Sequence, residues 1–159
     1  MADDKQQPGA KEISPGQLIN LLNEDLSREC QAIIICRVHS QMINGAAAYR
    51  KIAKGLEQHA QEELQHALII GDQIHSLGGI PQIRPKLVKT SDNTDQMLRF
   101  ELENGYETIR NYRERVRQCE ALGEHAMAEQ IGEILLYEQQ HQIELATALG
   151  KRVSDVTLL

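Results

Sequence analysis

Two four-residue segments of this chain place a carboxylate and an imidazole one helical turn apart: Glu63-Leu64-Gln65-His66 and Glu138-Gln139-Gln140-His141. Residues three positions apart on a helix lie on the same face. Both segments fall where the apolar repeat of a predicted helix calls for core residues. A buried carboxylate is costly unless it is paired or bound to a metal. Two such pairs pointing into one core therefore predict a cation between them.

A third carboxylate, Glu29, lies between Leu26 and Ile33 on the apolar stripe of an earlier predicted helix. Glu29, Glu63 and Glu138 each lie about midway along their helix, so we expect them to meet at one level of a bundle. Three carboxylates at close range cannot all stay ionised without a counter-charge. Two divalent cations would supply it, and carboxylate with imidazole suits iron or manganese and also accepts zinc. The predicted ligands are Glu29, Glu63, His66, Glu138 and His141.

Four apolar repeats with helical spacing predict the elements that carry these residues. The first helix begins with the capping box Ser14-Pro15-Gly16-Gln17, in which Ser14 is the cap and Pro15 the first helical residue. The predicted helices cover about 15–45, 46–77, 94–122 and 124–149. Residues 1–13 are predicted to be a flexible arm, 14–150 the bundle and 151–159 a C-terminal tail.

The connections between the helices predict the topology. Residues 78–91 contain Pro81 and Pro85 with few helix formers, and a link of this length can run from one end of a bundle to the other. Short connections join the first two helices and the last two. The chain is therefore predicted to be an all-α, antiparallel four-helix bundle with a long crossover between helices two and three, the connectivity of ferritin-like bundles.

Composition excludes several classes of protein. The formal net charge of the 159 residues is −6 with both signs interleaved, and no basic block marks a nucleic-acid surface. No apolar run is long enough to span a membrane, and residues 1–16 lack the apolar stretch of a signal peptide. Cys30, Cys36 and Cys119 form no Cys-x-x-Cys pair and are interpreted as reduced, mostly buried thiols. We expect a soluble cytoplasmic protein.

The third helix breaks the symmetry of the predicted site. A two-metal bundle site of this type takes one Glu from each of helices one and three. The apolar stripe of helix three has Gly105 at that position. Glu101 lies one turn earlier and is a candidate ligand, whereas Glu103 and Glu107 point sideways. Either Glu101 or water completes the second metal, or that metal binds weakly.

Other polar residues receive plainer interpretations. His59, one turn before Glu63, is interpreted as a hydrogen-bonded core or edge histidine. Tyr112 either packs or donates to a ligand carboxylate. The remaining residues are expected at the surface or in packing roles: Glu62, Glu133 and Glu144 in solvent, and His39, His75 and His125 at the surface or packed.

The segments that carry these residues resemble the bacterioferritin branch of the ferritin-like superfamily, over about residues 18–150. The matching stretches are 22–29 with its continuation to His39, 63–67, Leu77-Gly78-Gly79-Ile80-Pro81, 97–99, 111–114 and 138–141. The resemblance implies a hollow shell, usually of about 24 symmetry-related subunits, that oxidises Fe(II) with O2 or peroxide and stores a ferric mineral. It also implies that Glu63 and Glu138 bridge two irons, that His66 and His141 each bind one, and that Glu29 is terminal.

Two departures from the family pattern affect the expected function. Bacterioferritins bind haem through a Met directly after the helix-two Glu, and Leu64 at this position argues against haem. The same alignment places Gly105 at the helix-three Glu, which leaves two functions open: an iron-storage ferroxidase, or a shell-forming subunit with little catalysis in a homo- or hetero-oligomer. A manganese or other di-metal oxidase also stays open. The pattern does not match DNA-shielding relatives with Lys-rich tails or rubrerythrins with Cys-x-x-Cys pairs.

Overall fold

Four long α-helices make up most of the chain. The computed structural model describes residues 13–43 and 47–152. The helices are α1 (Pro15–Met42), α2 (Ala47–Ser76), α3 (Thr94–Ala121) and α4 (His125–Ala148). The predicted all-α bundle is confirmed. The predicted connection at 44–46 and nearly all of the predicted arm and tail (1–12 and 153–159) lie outside the described residues.

Local signals explain where the helices begin and turn. At the start of α1 the Ser14 amide donates to Gln17 Oε1 at 2.8 Å, and the Gln17 amide donates to Ser14 Oγ at 3.2 Å, which is the predicted capping box. Asn93 caps α3 by accepting from the Gln96 amide at 2.9 Å. Gly123 adopts a φ of +78° between α3 and α4, a left-handed conformation that suits glycine and lets the two helices fold back on each other.

The crossover between α2 and α3 is fastened along α1. Asn23 accepts from the Gln82 amide at 2.7 Å and donates to the Ile80 carbonyl at 3.3 Å. Further along α1, Gln31 donates to the Leu87 carbonyl at 2.6 Å. These bonds satisfy backbone groups of a segment without regular structure. The crossover therefore travels from the level of Asn23 to the middle of α1, as its length and composition predicted.

The core consists of two hydrophobic clusters with a polar layer between them. One cluster joins the first half of α1 to the second halves of α2 and α3, and the other joins the opposite halves. The largest fully buried side chains include Leu18, Leu22, Ile70, Tyr112 and Ile131 in the first cluster and Ile35, Leu56, Met97, Leu98 and Leu102 in the second. The layer between them holds the acids and imidazoles predicted to bind metal.

The structure also describes the hydropathy of the helices and the burial of the three cysteines. Within 13–43 and 47–152, no helix combines the length and the apolarity needed to cross a membrane. The thiols of Cys36 and Cys119 are buried, that of Cys30 is partly buried, and all three are free.

Candidate metal centre

Four buried side chains from three helices bring one potential ligand atom each into a single cluster. These atoms all lie within 4.8 Å of one another. All four residues are at most 5% exposed. They are Glu29 of α1, Glu63 and His66 of α2, and Glu138 of α4. The structure thus brings together four of the five residues that the sequence predicted as metal ligands.

Carboxylate oxygens surround one ring nitrogen in this cluster. The Nδ1 atom of His66 lies 3.0 Å from Glu63 Oε2, 3.1 Å from Glu138 Oε1 and 3.7 Å from Glu29 Oε2. A ring nitrogen carries one proton at most, so it cannot serve three acceptors at once. Glu29 Oε2 is buried without a hydrogen-bond partner. A cation among these atoms would satisfy all of them, and we conclude that the donor set fits a divalent ion.

The other oxygen of Glu29 is held by α3, the helix that contributes no atom to the cluster of four. The Tyr112 hydroxyl of α3 donates to Glu29 Oε1, and both residues are 1% exposed. Of the two roles considered for Tyr112, the structure favours the hydrogen bond to a candidate ligand. This bond fixes which way the carboxylate of Glu29 faces, as partners of metal ligands commonly do.

The excess of carboxylates shifts the protonation of the layer. Burial, with the charge of Glu63 beside it, raises the pKa of Glu138 to about 7. Burial by itself would lower the pKa of His66, but the carboxylates of Glu138, Glu29 and Glu63 around its ring outweigh this effect and raise the pKa to about 12. Protons therefore neutralise the layer wherever a cation does not. Cation binding and proton release at this centre are consequently linked.

His141 belongs to a second group rather than to the four-ligand cluster. Its Nδ1 lies 3.1 Å from Glu63 Oε1, while its Nε2 lies 2.6 Å from Glu62 Oε2. The second group comprises His59, Glu62 and His141, whose potential ligand atoms also lie within 4.8 Å of one another. Glu62 was expected in solvent; its side chain is 26% exposed, and its carboxylate also reaches back to His141. His59 is buried and hydrogen-bonded, as expected.

Glu101 lies beside the centre with both oxygens engaged elsewhere. It lines a cavity of about 40 Å³ together with Glu63 and Glu138. One of its oxygens is 2.7 Å from His39 Nδ1, and the other accepts from Cys36 Sγ at 3.2 Å. His39, a residue that the sequence left at the surface or in packing, is fully buried. Glu101 is thus inward and close, but it does not join the four convergent ligand atoms, and its role as a ligand stays a prediction.

A family model for the ferritin-like domain matches residues 19–153. The chain belongs to this ferritin-like family. It is 24% identical over 142 residues to a bacterioferritin of Brucella melitensis biotype 1, covering 85% of this chain and 88% of the relative. A bacterioferritin of Streptomyces coelicolor is 25% identical over 150 residues, covering 90% of this chain and 89% of the relative.

Structural comparison points the same way. A ferritin-like, diiron-carboxylate protein from Bacillus anthracis superposes with a TM-score of 0.82 at 29% identity, over 86% of this chain and 99% of that one. With the curated relatives, this likeness identifies a bacterioferritin-like member of the ferritin-like superfamily, as the motif residues predicted.

In this ferritin-like chain, a side chain of α4 fills the space beside Gly105 of α3, where the sequence predicted that a carboxylate ligand is missing. A Cβ atom added to Gly105 would lie 1.9 Å from Gln142 Nε2 and 2.6 Å from its Cδ. Gln142 is 1% exposed and donates to the Leu102 carbonyl at 2.8 Å. Sequence reasoning predicted a missing ligand at Gly105 but not the side chain that lies there, because Gln142 lies beside His141 off the predicted stripe of α4. The absence of a side chain at Gly105 makes room for this amide.

Proposed function

We propose that this chain binds Fe(II) at the cluster of Glu29, Glu63, His66 and Glu138 and oxidises it to Fe(III) for storage. The observation that carries the proposal is the convergence of three carboxylates and one imidazole in a buried layer, with Glu29 Oε2 left without a partner. Oxygen and nitrogen donors of this kind suit iron. The bacterioferritin relatives and the diiron-carboxylate neighbour support iron as the ion.

The protein's own residues would perform three tasks in this function. The carboxylates of Glu29, Glu63 and Glu138 neutralise the incoming positive charge. Tyr112 keeps Glu29 facing the centre, and the hydrophobic clusters on both sides exclude bulk water. Each Fe(II) supplies one electron, so two ions together can reduce O2 to peroxide, or peroxide to water. His66 gives up its proton when it accepts a metal, which couples loading to pH.

Aerobic addition of Fe(II) to metal-stripped protein tests the proposal. We expect the ultraviolet absorbance of ferric product to rise faster than in buffer alone. Glu63→Gln with Glu138→Gln should remove the acceleration, whereas Glu133→Gln, an exposed change on the same α4, should leave it intact. Equal rates in the double variant and the parent protein would refute oxidation at this centre.

A second candidate function follows from Gly105 and Gln142: a shell-forming subunit that stores iron with little catalysis of its own. The amide of Gln142 supplies no negative charge where a helix-three carboxylate would stand. If the missing carboxylate is the reason for weak catalysis, Gly105→Glu should raise the oxidation rate. The contact with Gln142 refines that test, because the new Glu needs Gln142→Ala beside it. A clear rate increase in the double variant supports a weakly catalytic parent, and an unchanged rate argues against it.

Assembly and location complete the proposal. We assign self-association into a large homo-oligomeric shell of about 24 subunits, on the basis of the relatives and of the apolar side chains exposed on α2. Leu64 and Leu68 there are 47% and 56% exposed. Because the Leu64 side chain cannot coordinate iron, we assign no haem to it. A cytoplasmic location fits the free thiols. Light scattering of the purified protein measures the assembly directly.

A further inference from the structure

A second set of acids and imidazoles bridges α2 and α4 beside the four-ligand cluster. Each helix carries a histidine followed three residues later by a glutamate, His59 with Glu62 on α2 and His141 with Glu144 on α4. The pairs cross between the two helices: His59 Nε2 lies 3.0 Å from Glu144 Oε2, and His141 Nε2 lies 2.6 Å from Glu62 Oε2. The two imidazole rings stack with centroids 3.8 Å apart. Two nitrogen and two carboxylate donors therefore face one another across the helix pair.

The ring of His141 lies between two carboxylates. Glu63 Oε1 lies 3.1 Å from Nδ1, and Glu62 Oε2 lies 2.6 Å from Nε2. Both contacts are hydrogen bonds when the ring is an imidazolium, whereas a neutral ring donates only one of them. A cation bound at one ring nitrogen and held by the facing carboxylate can take the place of one of these protons.

The position of this group suits an ion that arrives from solvent. His59 and His141 are buried, and together with Glu63 they line the cavity of about 40 Å³ that Glu101 also lines. Glu62 and Glu144 are 26% and 51% exposed, so their carboxylates can meet a hydrated cation at the surface. The group thus connects the bundle surface to the four-ligand cluster through the His141 ring.

The packing at Gly105 of α3 bears on where a second ion could bind. Gln142 fills the space beside Gly105, so helix three contributes no carboxylate at the expected level. His141, which the sequence assigned to the inner cluster, instead places its potential ligand atom with His59 and Glu62. The donors for a second ion have therefore moved outward, to the α2–α4 face.

We propose that His59, Glu62 and His141, with Glu144 beside His59, form a second site for a divalent first-row cation, which takes the place of the second metal position left incomplete at Gly105. The chain would hold an inner ion at Glu29, Glu63, His66 and Glu138 and an outer ion at this site. The identity of the outer ion as Fe(II) rests on the proposed function, but the donor set also suits Mn(II), Co(II) and Zn(II).

Cobalt titration tests the site without any redox reaction. Metal-stripped protein is titrated with Co(II), followed by visible absorption, and crystals soaked in Co(II) are examined for anomalous density. We expect two ions per chain, one at each site. Glu62→Gln should weaken the outer ion by about tenfold or more, and His59→Gln with Glu62→Gln should abolish it, while the inner ion remains. His75→Gln with Glu133→Gln, at exposed positions on the same two helices, is the matched control.

The outcomes separate this inference from the proposed function. One ion per chain, bound only at the inner cluster, overturns the outer site and leaves the proposed function intact. Two ions that both persist in the His59 and Glu62 variants, with density between Glu63, Glu138 and His141, also overturn it. Density at the outer site alone supports the inference and counts against the inner iron centre. Because Glu62 is partly exposed, Glu62→Gln should fold normally and keeps the test decisive if the double variant does not.

Discussion

Gln142 of α4 occupies the space that any side chain at Gly105 of α3 would need, since a Cβ there would meet its Nε2 at 1.9 Å. The two positions are therefore energetically coupled. Gly105→Ala gains about 1 kcal/mol in helix propensity but displaces Gln142 from its bond to the Leu102 carbonyl.

A double-mutant cycle measures this coupling. We expect Gly105→Ala to be more favourable by about 1–3 kcal/mol when Gln142→Ala is already present, as for residues in direct contact. Urea denaturation of the parent, both single variants and the double variant in chelator gives the coupling energy. Strictly additive effects would show that Gln142 does not depend on the empty space at Gly105.

The pKa values of the centre predict that cation binding releases protons. His66 and His141, with pKa values of about 12 and about 9, are both doubly protonated imidazolium ions at pH 7.5 in the metal-free protein. Each must lose it to become a ligand, so we expect release of about one proton for each histidine that binds metal. Calorimetric titration with Mn(II) in two buffers of different ionisation enthalpy measures this number. Identical binding heats in both buffers would contradict the prediction.

The same protons stabilise the metal-free fold. Because the folded pKa of His141 is raised above its ordinary value of 6.5, its contribution is fully present below pH 6.5 and is lost as the pH rises through about 9. We expect the free energy of unfolding in chelator to fall over this interval. Saturating Mn(II) should flatten or reverse the slope, since protons then no longer occupy the ring nitrogens.

The fold and most of the inner cluster could be predicted because they depend on periodic, local signals. The capping box at Ser14 and the apolar stripes that carry Glu29, Glu63 and Glu138 are short-range patterns. The contact of Glu62 with His141 was missed because a glutamate side chain at the edge of a stripe is long enough to reach back to a ring on a neighbouring helix. The repeated His-x-x-Glu spacing on α2 and α4 was visible in the sequence and is the signal that could have found it.

The interlocking of Gly105 with Gln142 could not be predicted in the same way. It depends on how α3 and α4 pack against each other, and helical periodicity does not determine that register. The bonds of Glu101 to His39 and Cys36 depend on the packing of α1 against α3 for the same reason.

Replacing Glu138 should stabilise the metal-free protein while weakening its stabilisation by metal. Burial and Glu63 raise the pKa of Glu138 from 4.5 to about 7, so above pH 7 the folded state carries an unfavourable ionised carboxylate that Gln would remove. We expect Glu138→Gln to raise the free energy of unfolding at pH 8 by roughly 1–3 kcal/mol. The gain should shrink as the pH falls below 7 and vanish only well below pH 4.5, where the acid is protonated in both states.

Urea denaturation at pH 8 and pH 5 in chelator checks this prediction, with Glu133→Gln as the exposed control. A loss of stability at pH 8 would mean that hydrogen bonds of the carboxylate to His66 outweigh its desolvation. Added Mn(II) should stabilise the Glu138 variant less than the parent protein, because one of the four inner ligands is gone.

We predict that the buried ion pair between Asp25 of α1 and Arg115 of α3 stabilises the fold. Arg115 Nε donates to Asp25 Oδ2 at 2.7 Å, and the two side chains are 5% and 2% exposed. Arg115→Ala leaves a buried, unpaired carboxylate and should cost about 3–5 kcal/mol, whereas Asp25→Leu with Arg115→Met should cost much less. Chemical denaturation of both variants tests this. Equal losses in the two would show that the charges themselves, and not their pairing, stabilise the fold.

The Tyr112 hydroxyl is predicted to act on metal affinity through Glu29 rather than on stability through packing. Tyr112→Phe keeps the ring among its neighbours in the first hydrophobic cluster but leaves both oxygens of Glu29 without a hydrogen-bond partner. The freed carboxylate can rotate away from the centre, so we expect the inner ion to bind about 10–100-fold more weakly. Tyr106→Phe, on the same helix but packed against the second cluster, is the control. Co(II) titration of the three proteins measures the effect, and an unchanged affinity in the Tyr112 variant would mean that the four ligands hold their geometry without help from α3.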